Sequence, residues 1–307
     1  MWFLSEKNKH NPAAEGLSVS VSELINEQKY LPYLASHQNT PVTEFAGDIK
    51  SAFKGRGMEL EEVREYGFGD DVRDIDWRIT ARKDAPFTRI YAEEKDRKIL
   101  VLLDLSASMV FGTKKELKSV TACKTAALLG WYALKNKDRF GLLLHDGINN
   151  YYYKPQNTRQ NLMSIIKKIS QKSEDILTDN HSGNLSGAVK MLQHHAGNNA
   201  VIFILSDFSG FNEEKFTDIA ALAAKNKVYC LNIFDILEEN APADGFYEAR
   251  FGNEKLEFGT YSADFQQKYR NYFAKKREIL KKSCQKFSCR YIEIRTDIPI
   301  FKQLHLN

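Results

Sequence analysis

Ile99-Leu100-Val101-Leu102-Leu103 is followed at once by Asp104-Leu105-Ser106-Ala107-Ser108-Met109, and few folds accommodate that pair of segments. An apolar run this short, with no polar alternation, reads as a strand buried on both faces, as in a parallel sheet. Its end carries three small oxygen-bearing side chains at alternate positions. In an open α/β sheet, ligands bind outside the carboxyl ends of the strands. A carboxylate and two hydroxyls are hard oxygen donors suited to Mg²⁺ or a similar cation. Taken alone, the two serines would equally serve to cap a following helix or shape a loop.

The surroundings favour the first reading. Leu117, Val120, Ala127, Leu128, Trp131 and Leu134 recur at helical spacing within a predicted helix from Lys114 to Lys137. A buried strand is predicted from Asp138 to His145, then a short return strand at Tyr151-Tyr152-Tyr153 that stops before Pro155. Helices are predicted around Leu162 to Ile169 and Leu185 to Leu192. Val201 to Leu205 is another buried strand, and it too ends in acid, at Ser206-Asp207. A helix around Phe216 to Ala223 and a strand from Val228 to Phe234 follow. Such alternation indicates an α/β fold with a mostly parallel sheet and helices on both faces. Two strand ends of that sheet would bring Asp104, Ser106 and Ser108 together with Asp207. The alternation is interrupted by a β-hairpin, Phe246 to Phe251 and Glu254 to Phe258 around Gly252-Asn253. A long helix from Ala263 to about Phe287 and a last strand from Arg290 to Ile294 complete the pattern.

The net charge of +4, from 44 basic and 40 acidic residues, argues against a dedicated nucleic-acid binder. Cys123, Cys230, Cys284 and Cys289 form no CxxC pair, as expected for reduced thiols in a cytoplasmic protein. No apolar run approaches the ~18 residues of a membrane span, and Met1 to Lys7 lacks the apolar region of a signal peptide. Ser22 to Tyr30 reads as a short amphipathic helix within a polar N-terminal segment.

Between Thr43 and Arg97 the chain changes character. Strands are expected at Glu62 to Tyr66 and Phe87 to Tyr91, with a helical turn from Asp71 to Trp77. Arg64, Asp70, Asp71, Arg73, Asp76 and Arg82 are either a polar recognition surface or an internal network that clamps the segment onto the domain behind it. The mixed signs favour mutual pairing. The string FxGxGxExxxxREYxxGDDxRxIDWRxTAR, from Phe53 to Arg82 and followed by Asp104-x-Ser106-x-Ser108-Met109, resembles the bacterial and archaeal family called domain of unknown function fifty-eight.

That resemblance implies a von Willebrand factor A-like fold from about residue 96 to 307. The family-specific extension, residues 43–95, would pack on it, preceded by the N-terminal segment, residues 1–42. It also implies partnership with a MoxR-type AAA+ ATPase and a client protein in chaperone-like assembly. By the same resemblance, Asp104, Ser106, Ser108 and Asp207 would form a metal-ion-dependent adhesion site for Mg²⁺ or Mn²⁺. Such sites also use a threonine from a loop before a helix. Here the loop runs Leu177 to Leu185 and Gly183 takes the threonine's place. Ser182 is the substitute expected, with Thr178 and Asn184 as others.

Two other functions compete with docking. A metal-dependent phosphate hydrolase would use Asp104 as nucleophile, but Ser106 stands where that chemistry places its general acid. Nucleic-acid binding would use the basic residues of the 263–287 helix, yet Tyr269, Tyr272 and Phe273 fall by spacing on its buried side. A non-enzymatic, metal-assisted protein-docking module is the expectation.

Overall fold

A computed structural model of the chain describes residues 16–35, 58–67, 70–83, 85–93, 97–179, 181–211, 216–240, 245–251, 254–260 and 262–304. The elements, in chain order, begin with α1 (Val21–Asn26), α2 (Leu31–Ala35), β1 (Met58–Glu65), α3 (Trp77–Thr80), β2 (Phe87–Glu93) and β3 (Lys98–Asp104). Then come α4 (Lys118–Lys135), β4 (Arg139–His145), β5 (Asn150–Gln156), α5 (Arg159–Asp175), α6 (Leu185–Ala196), β6 (Val201–Ser206) and α7 (Phe216–Ala223). The last are β7 (Lys227–Phe234), β8 (Phe246–Phe251), β9 (Glu254–Gly259), α8 (Ala263–Lys286), β10 (Arg290–Arg295) and α9 (Ile300–Gln303).

Six strands form the central sheet in the order β10-β7-β6-β3-β4-β5, parallel throughout except for β5. β3 lies inside it, and its residues are buried from Ile99 to Asp104. The unbroken apolar run is thereby explained. Successive side chains of a strand point to opposite faces, and here both faces are covered. Ile99, Val101 and Leu103 join a core made with α4 and α5. Leu100 and Leu102 join a second core made with α6, α7 and the end of α8. This is the α/β arrangement expected from the sequence, a mostly parallel sheet with helices on both faces.

β5 corrects an expectation. It runs through Pro155 to Gln156 instead of stopping before the proline. Proline lacks the ladder-donating N–H, but β5 is an edge strand, where that loss is tolerated. The pairing slips in register between Phe140 and Leu142 close to this point.

The N-terminal helix is more deeply placed than its amphipathic pattern suggested. Val19 and Leu24 are completely buried in the first core. Trp131 Nε1 donates to the Leu24 carbonyl (3.0 Å), and the Val19 N–H donates to Ser173 Oγ (3.1 Å). Ser20 and Glu23 form a capping box that fixes where α1 begins.

β1 and β2 pair as a separate antiparallel ribbon, Met58 opposite Glu93 and Glu65 opposite Phe87, longer at one end than the alternation predicted. β8 and β9 form the expected hairpin. Only the C-terminal part of α8 is deeply buried, at Leu280, Ser283 and Cys284. Tyr272, expected on its buried side, is 67% exposed; α8 there rests on the domain by a narrower stripe. All four cysteines are buried free thiols. Among the described residues, no helix is long and apolar enough to cross a membrane.

Candidate functional site

β3 and β6 are direct parallel neighbours, with Leu103 opposite Leu205. Their carboxyl ends therefore deliver Asp104 and Ser206-Asp207 side by side. Asp104 Oδ1 accepts from the Ser106 N–H (2.9 Å) and Oδ2 from Ser206 Oγ (2.6 Å). The chain then enters a 3-10 turn, Ala107–Met109, with Ser106 at its N-cap. That turn carries Ser108 over the sheet edge. Ser106 Oγ and Ser108 Oγ lie 3.5 Å apart, and Ser108 Oγ donates to Asp207 Oδ1 (3.1 Å). The four residues named from the sequence thus converge.

These oxygens suit a small divalent cation. An octahedral Mg²⁺ with ligands at ~2.0–2.1 Å has neighbouring ligand oxygens about 2.9 Å apart. The Ser108–Asp207 spacing of 3.1 Å is near that value, and the Ser106–Ser108 spacing of 3.5 Å is wider. The charge balance points the same way. Burial pushes the Asp104 carboxyl up from the ordinary carboxylate range, and the neighbouring Asp207 charge adds to the effect, only partly offset by Ser206 and Ser106. Asp104 is therefore a carboxyl short of positive charge. Among the described residues, no group of three or more His, Cys, Asp or Glu is placed to hold a metal, and this cluster brings only two carboxylates, Asp104 and Asp207.

One cation is already present, and sequence reasoning missed it. Lys118 Nζ, buried in the first turn of α4, donates to Asp207 Oδ2 (2.7 Å) and Glu238 Oε1 (3.1 Å). Burial opposes the Lys118 charge, but the two carboxylates outweigh it and raise its pKa. Burial would also lift Asp207, but Lys118 and Lys276 outweigh it and hold that carboxyl low. A signal did exist. Lysine in the first turn of a helix opposes the macrodipole and calls for nearby anions.

The loop that should supply a threonine explains its own departure from the pattern. Gly183 packs so closely that an added Cβ would lie 2.3 Å from His145 Nε2 and 2.5 Å from the Gly147 backbone. No side chain fits at that position without movement. The loop is tied to the site at a neighbouring residue, where the Ala107 N–H donates to the His181 carbonyl (2.9 Å). Ser182 is exposed, and its hydroxyl takes no part in the described hydrogen bonds of the cluster. Thr178 and Asn184 have local roles: Thr178 donates to the Asp175 carbonyl, and Asn184 caps α6 through the Ser186 N–H. His145 pairs through Nδ1 with Asn150 Oδ1 (2.9 Å), leaving Nε2 buried with no hydrogen-bond partner.

Residues 62–279 match the family model described as "Protein of unknown function DUF58". The chain belongs to this family. Uncharacterized proteins Rv1480 of Mycobacterium tuberculosis and Mb1516 of Mycobacterium bovis are each 27% identical over 199 residues. The match takes in 65% of this chain, which spans 62% of the length of those curated relatives. Among solved structures, the chain is similar to the conserved hypothetical protein BatB from Bacteroides thetaiotaomicron, at 16% identity and a TM-score of 0.42 over 67% of this chain and 93% of that one. It is also similar to the SpRpn10 VWA domain, at 11% identity and a TM-score of 0.36 over 68% and 94% of the two chains.

The family match contains the charged residues of the extension, and there the pairing is local. Arg64 forms an ion pair with Asp70 (2.7 Å), whose other oxygen accepts from the Gly67 N–H (2.8 Å). Arg73 grips Asp71 through Nε and Nη2, the closest contact being 2.7 Å. Arg73 holds the exposed Asp71 carboxyl down at about 2. Asp76, buried, caps α3 by accepting from the Arg78 and Ile79 N–H groups. Arg82 contributes its backbone N–H to the Ile79 carbonyl, and its side chain is exposed. Beside these pairs Trp77 is 66% exposed. On α8, the ion pairs Lys268–Asp264 and Lys282–Glu278 offset part of the basic face.

Proposed function

We propose that this DUF58-family chain is a non-enzymatic protein-interaction module that docks a partner through the strand-end site, assisted by Mg²⁺ or Mn²⁺. Its expected setting is the cytoplasm, with a MoxR-type AAA+ ATPase and a client protein in chaperone-like assembly or maturation. The observation that carries this reading is the convergence of Ser106 Oγ, Ser108 Oγ and Asp207 Oδ1 beside a buried Asp104 carboxyl that is short of positive charge.

Ser106, Ser108 and Asp207 would hold the cation, with Asp104 in support. When bound, a cation held largely by neutral hydroxyls supplies affinity for one further anionic ligand, which a partner's Asp or Glu can provide. The chain's own residues do the remaining work. The Ser206 hydroxyl orients Asp104, the 3-10 turn presents Ser108, and Lys118 limits the negative charge at the site when no cation is there. A hydrolase reading lacks its acid: Ser106 has no useful proton to give near neutral pH, and Lys118 already pairs with Asp207.

Affinity capture from native lysate, in Mg²⁺ and in EDTA, tests the partnership. The tagged chain should retain a MoxR-type ATPase in Mg²⁺, and Ser108→Ala should lose it. Capture of that ATPase equally in EDTA contradicts the role of the cation.

A further inference from the structure

Helix α8 ends in a turn that brings two cysteines together. Its last residue is Lys286 and its cap is Phe287. Ser288 then takes φ +56°, and the chain doubles back. The Cys289 N–H donates to the Cys284 carbonyl (2.8 Å), and the Ser288 N–H to the Gln285 carbonyl (3.4 Å). Those two bonds make a Schellman motif, and the residues joined by the outer bond usually meet through their side chains. Here both are cysteines.

A third thiol approaches from the sheet. Cys230 on β7 lies opposite Tyr291 of β10, two residues beyond Cys289. Cys230, Cys284 and Cys289 all belong to the second core, whereas Cys123 lies in the first, on the other face of the sheet. The Cys230 thiol hydrogen-bonds with both Cys284 and Cys289, and Cys289 Sγ donates to the Phe287 carbonyl (3.7 Å). The three thiols are not placed to hold a metal. They also differ in access. Cys230 and Cys284 are fully buried and Cys289 is 7% exposed, so an oxidant reaches Cys289 first. The hydrogen bond with Cys230 pulls the Cys289 thiol below its ordinary value, against the opposing effect of burial. Burial instead pushes Cys123 up. The thiolate is the reactive form.

We infer that Cys284 and Cys289 are a peroxide-reactive dithiol that closes to a disulfide across the end of α8, with Cys230 as the hydrogen-bond donor that directs the first attack to Cys289. The Cys289 thiolate attacks one oxygen of hydrogen peroxide. An S–O bond forms, the O–O bond breaks, and the departing hydroxide takes up the proton that Cys289 lost, giving water. Cys284 then attacks the sulfenic sulfur. The S–S bond forms, the S–O bond breaks, and hydroxide leaves with the Cys284 proton as a second water. The two thiols lose two electrons and the peroxide gains them. A dithiol reductant reverses the reaction. The disulfide would join the only deeply buried part of α8, at Leu280, Ser283 and Cys284, to the start of β10. None of this depends on the strand-end site or its cation.

The reduced full chain is treated with hydrogen peroxide, alkylated without reduction, and mapped by peptide mass spectrometry. The expected result is a Cys284–Cys289 disulfide, with Cys123 and Cys230 still free thiols, and recovery of all four thiols with dithiothreitol. Cys284→Ser should accumulate a sulfenic acid at Cys289 that dimedone traps. Cys289→Ser should form no disulfide and consume peroxide at least about tenfold more slowly. Cys230 is a positioning residue. Cys230→Val, which removes the donor, should slow the reaction about threefold or more, and Cys230→Ser, which keeps a donor, should restore the rate. The mapping of the wild type decides the matter without any variant. Retention of all four thiols, loss that spreads equally to Cys123, or oxidation of Cys289 to sulfinic acid without a disulfide overturns the dithiol. A Cys230→Val chain that reacts as fast as the wild type overturns the role given to Cys230.

Discussion

At the scale of single residues, Lys118 decides how the site behaves without a cation. It is buried, and it spans Asp207 and Glu238 from the first turn of α4. Lys118→Met leaves both carboxylates without their counter-ion, and breaking a buried pair from one side costs about 3–5 kcal/mol. The metal-free variant should melt well below the wild type, and Mn²⁺ should recover more stability in the variant than in the wild type; differential scanning calorimetry with and without Mn²⁺ measures both. Glu27 offers a separate test. Burial raises its carboxyl to about 7, against about 4.5 for an ordinary glutamate, with Lys124 opposing the rise and Glu116 adding to it. The folded state thus binds more protons than the unfolded one between those values. Its contribution to stability is present below about 4.5 and is lost as pH rises through 7. Glu27→Gln should remove that dependence and make the protein more stable than wild type at pH 8, by up to about 3 kcal/mol, read from urea midpoints at pH 5 and 8. The four strand-end residues were legible in the sequence because each follows a recognisable buried strand or its turn. Lys118 was not, because its partners lie 89 and 120 positions away along the chain, and no local pattern records such a pairing.

Elements were legible where burial imposes a period, and less so where tertiary context overrides local chemistry. β3 and β6 are buried along almost their whole length, so an uninterrupted apolar run was sufficient to find them. β5 extends through Pro155 because it is an edge, and edge position is a property of the sheet, not of the segment. α9 has four residues, too few for a helical period to show. The loop before α6 is the element that separates this site from the threonine-bearing pattern. Gly183 there leaves no room for a side chain, since its neighbours are His145 Nε2 and the Gly147 backbone. Gly183→Ala should displace the loop and cost about 1–3 kcal/mol, seen as a lower urea midpoint with an unchanged m-value. An alanine variant as stable as wild type would show that the loop is not wedged in place.

For the whole molecule, the segment around α1 and the central domain share one core. Val19 and Leu24 fill the first core, and β1 and β2 form a two-stranded ribbon, which is at best marginal by itself. A chain of residues 96–307 should therefore be unstable or aggregate; recovery of a monomer with a cooperative melt would contradict that expectation. The fold places the side-chain oxygens of Asp104, Ser106, Ser108 and Asp207, the Lys118 ammonium and an aromatic cleft together at the carboxyl edge of one sheet, and the proposal that unites them is that this edge binds a divalent cation. The most direct measurement is isothermal calorimetry of Mn²⁺ with the wild type and with Asp104→Ala and Ser108→Ala. Weak one-to-one binding by the wild type that both variants abolish is the predicted result. Absence of Mn²⁺ binding to the wild type, or equal binding by all three proteins, would contradict it.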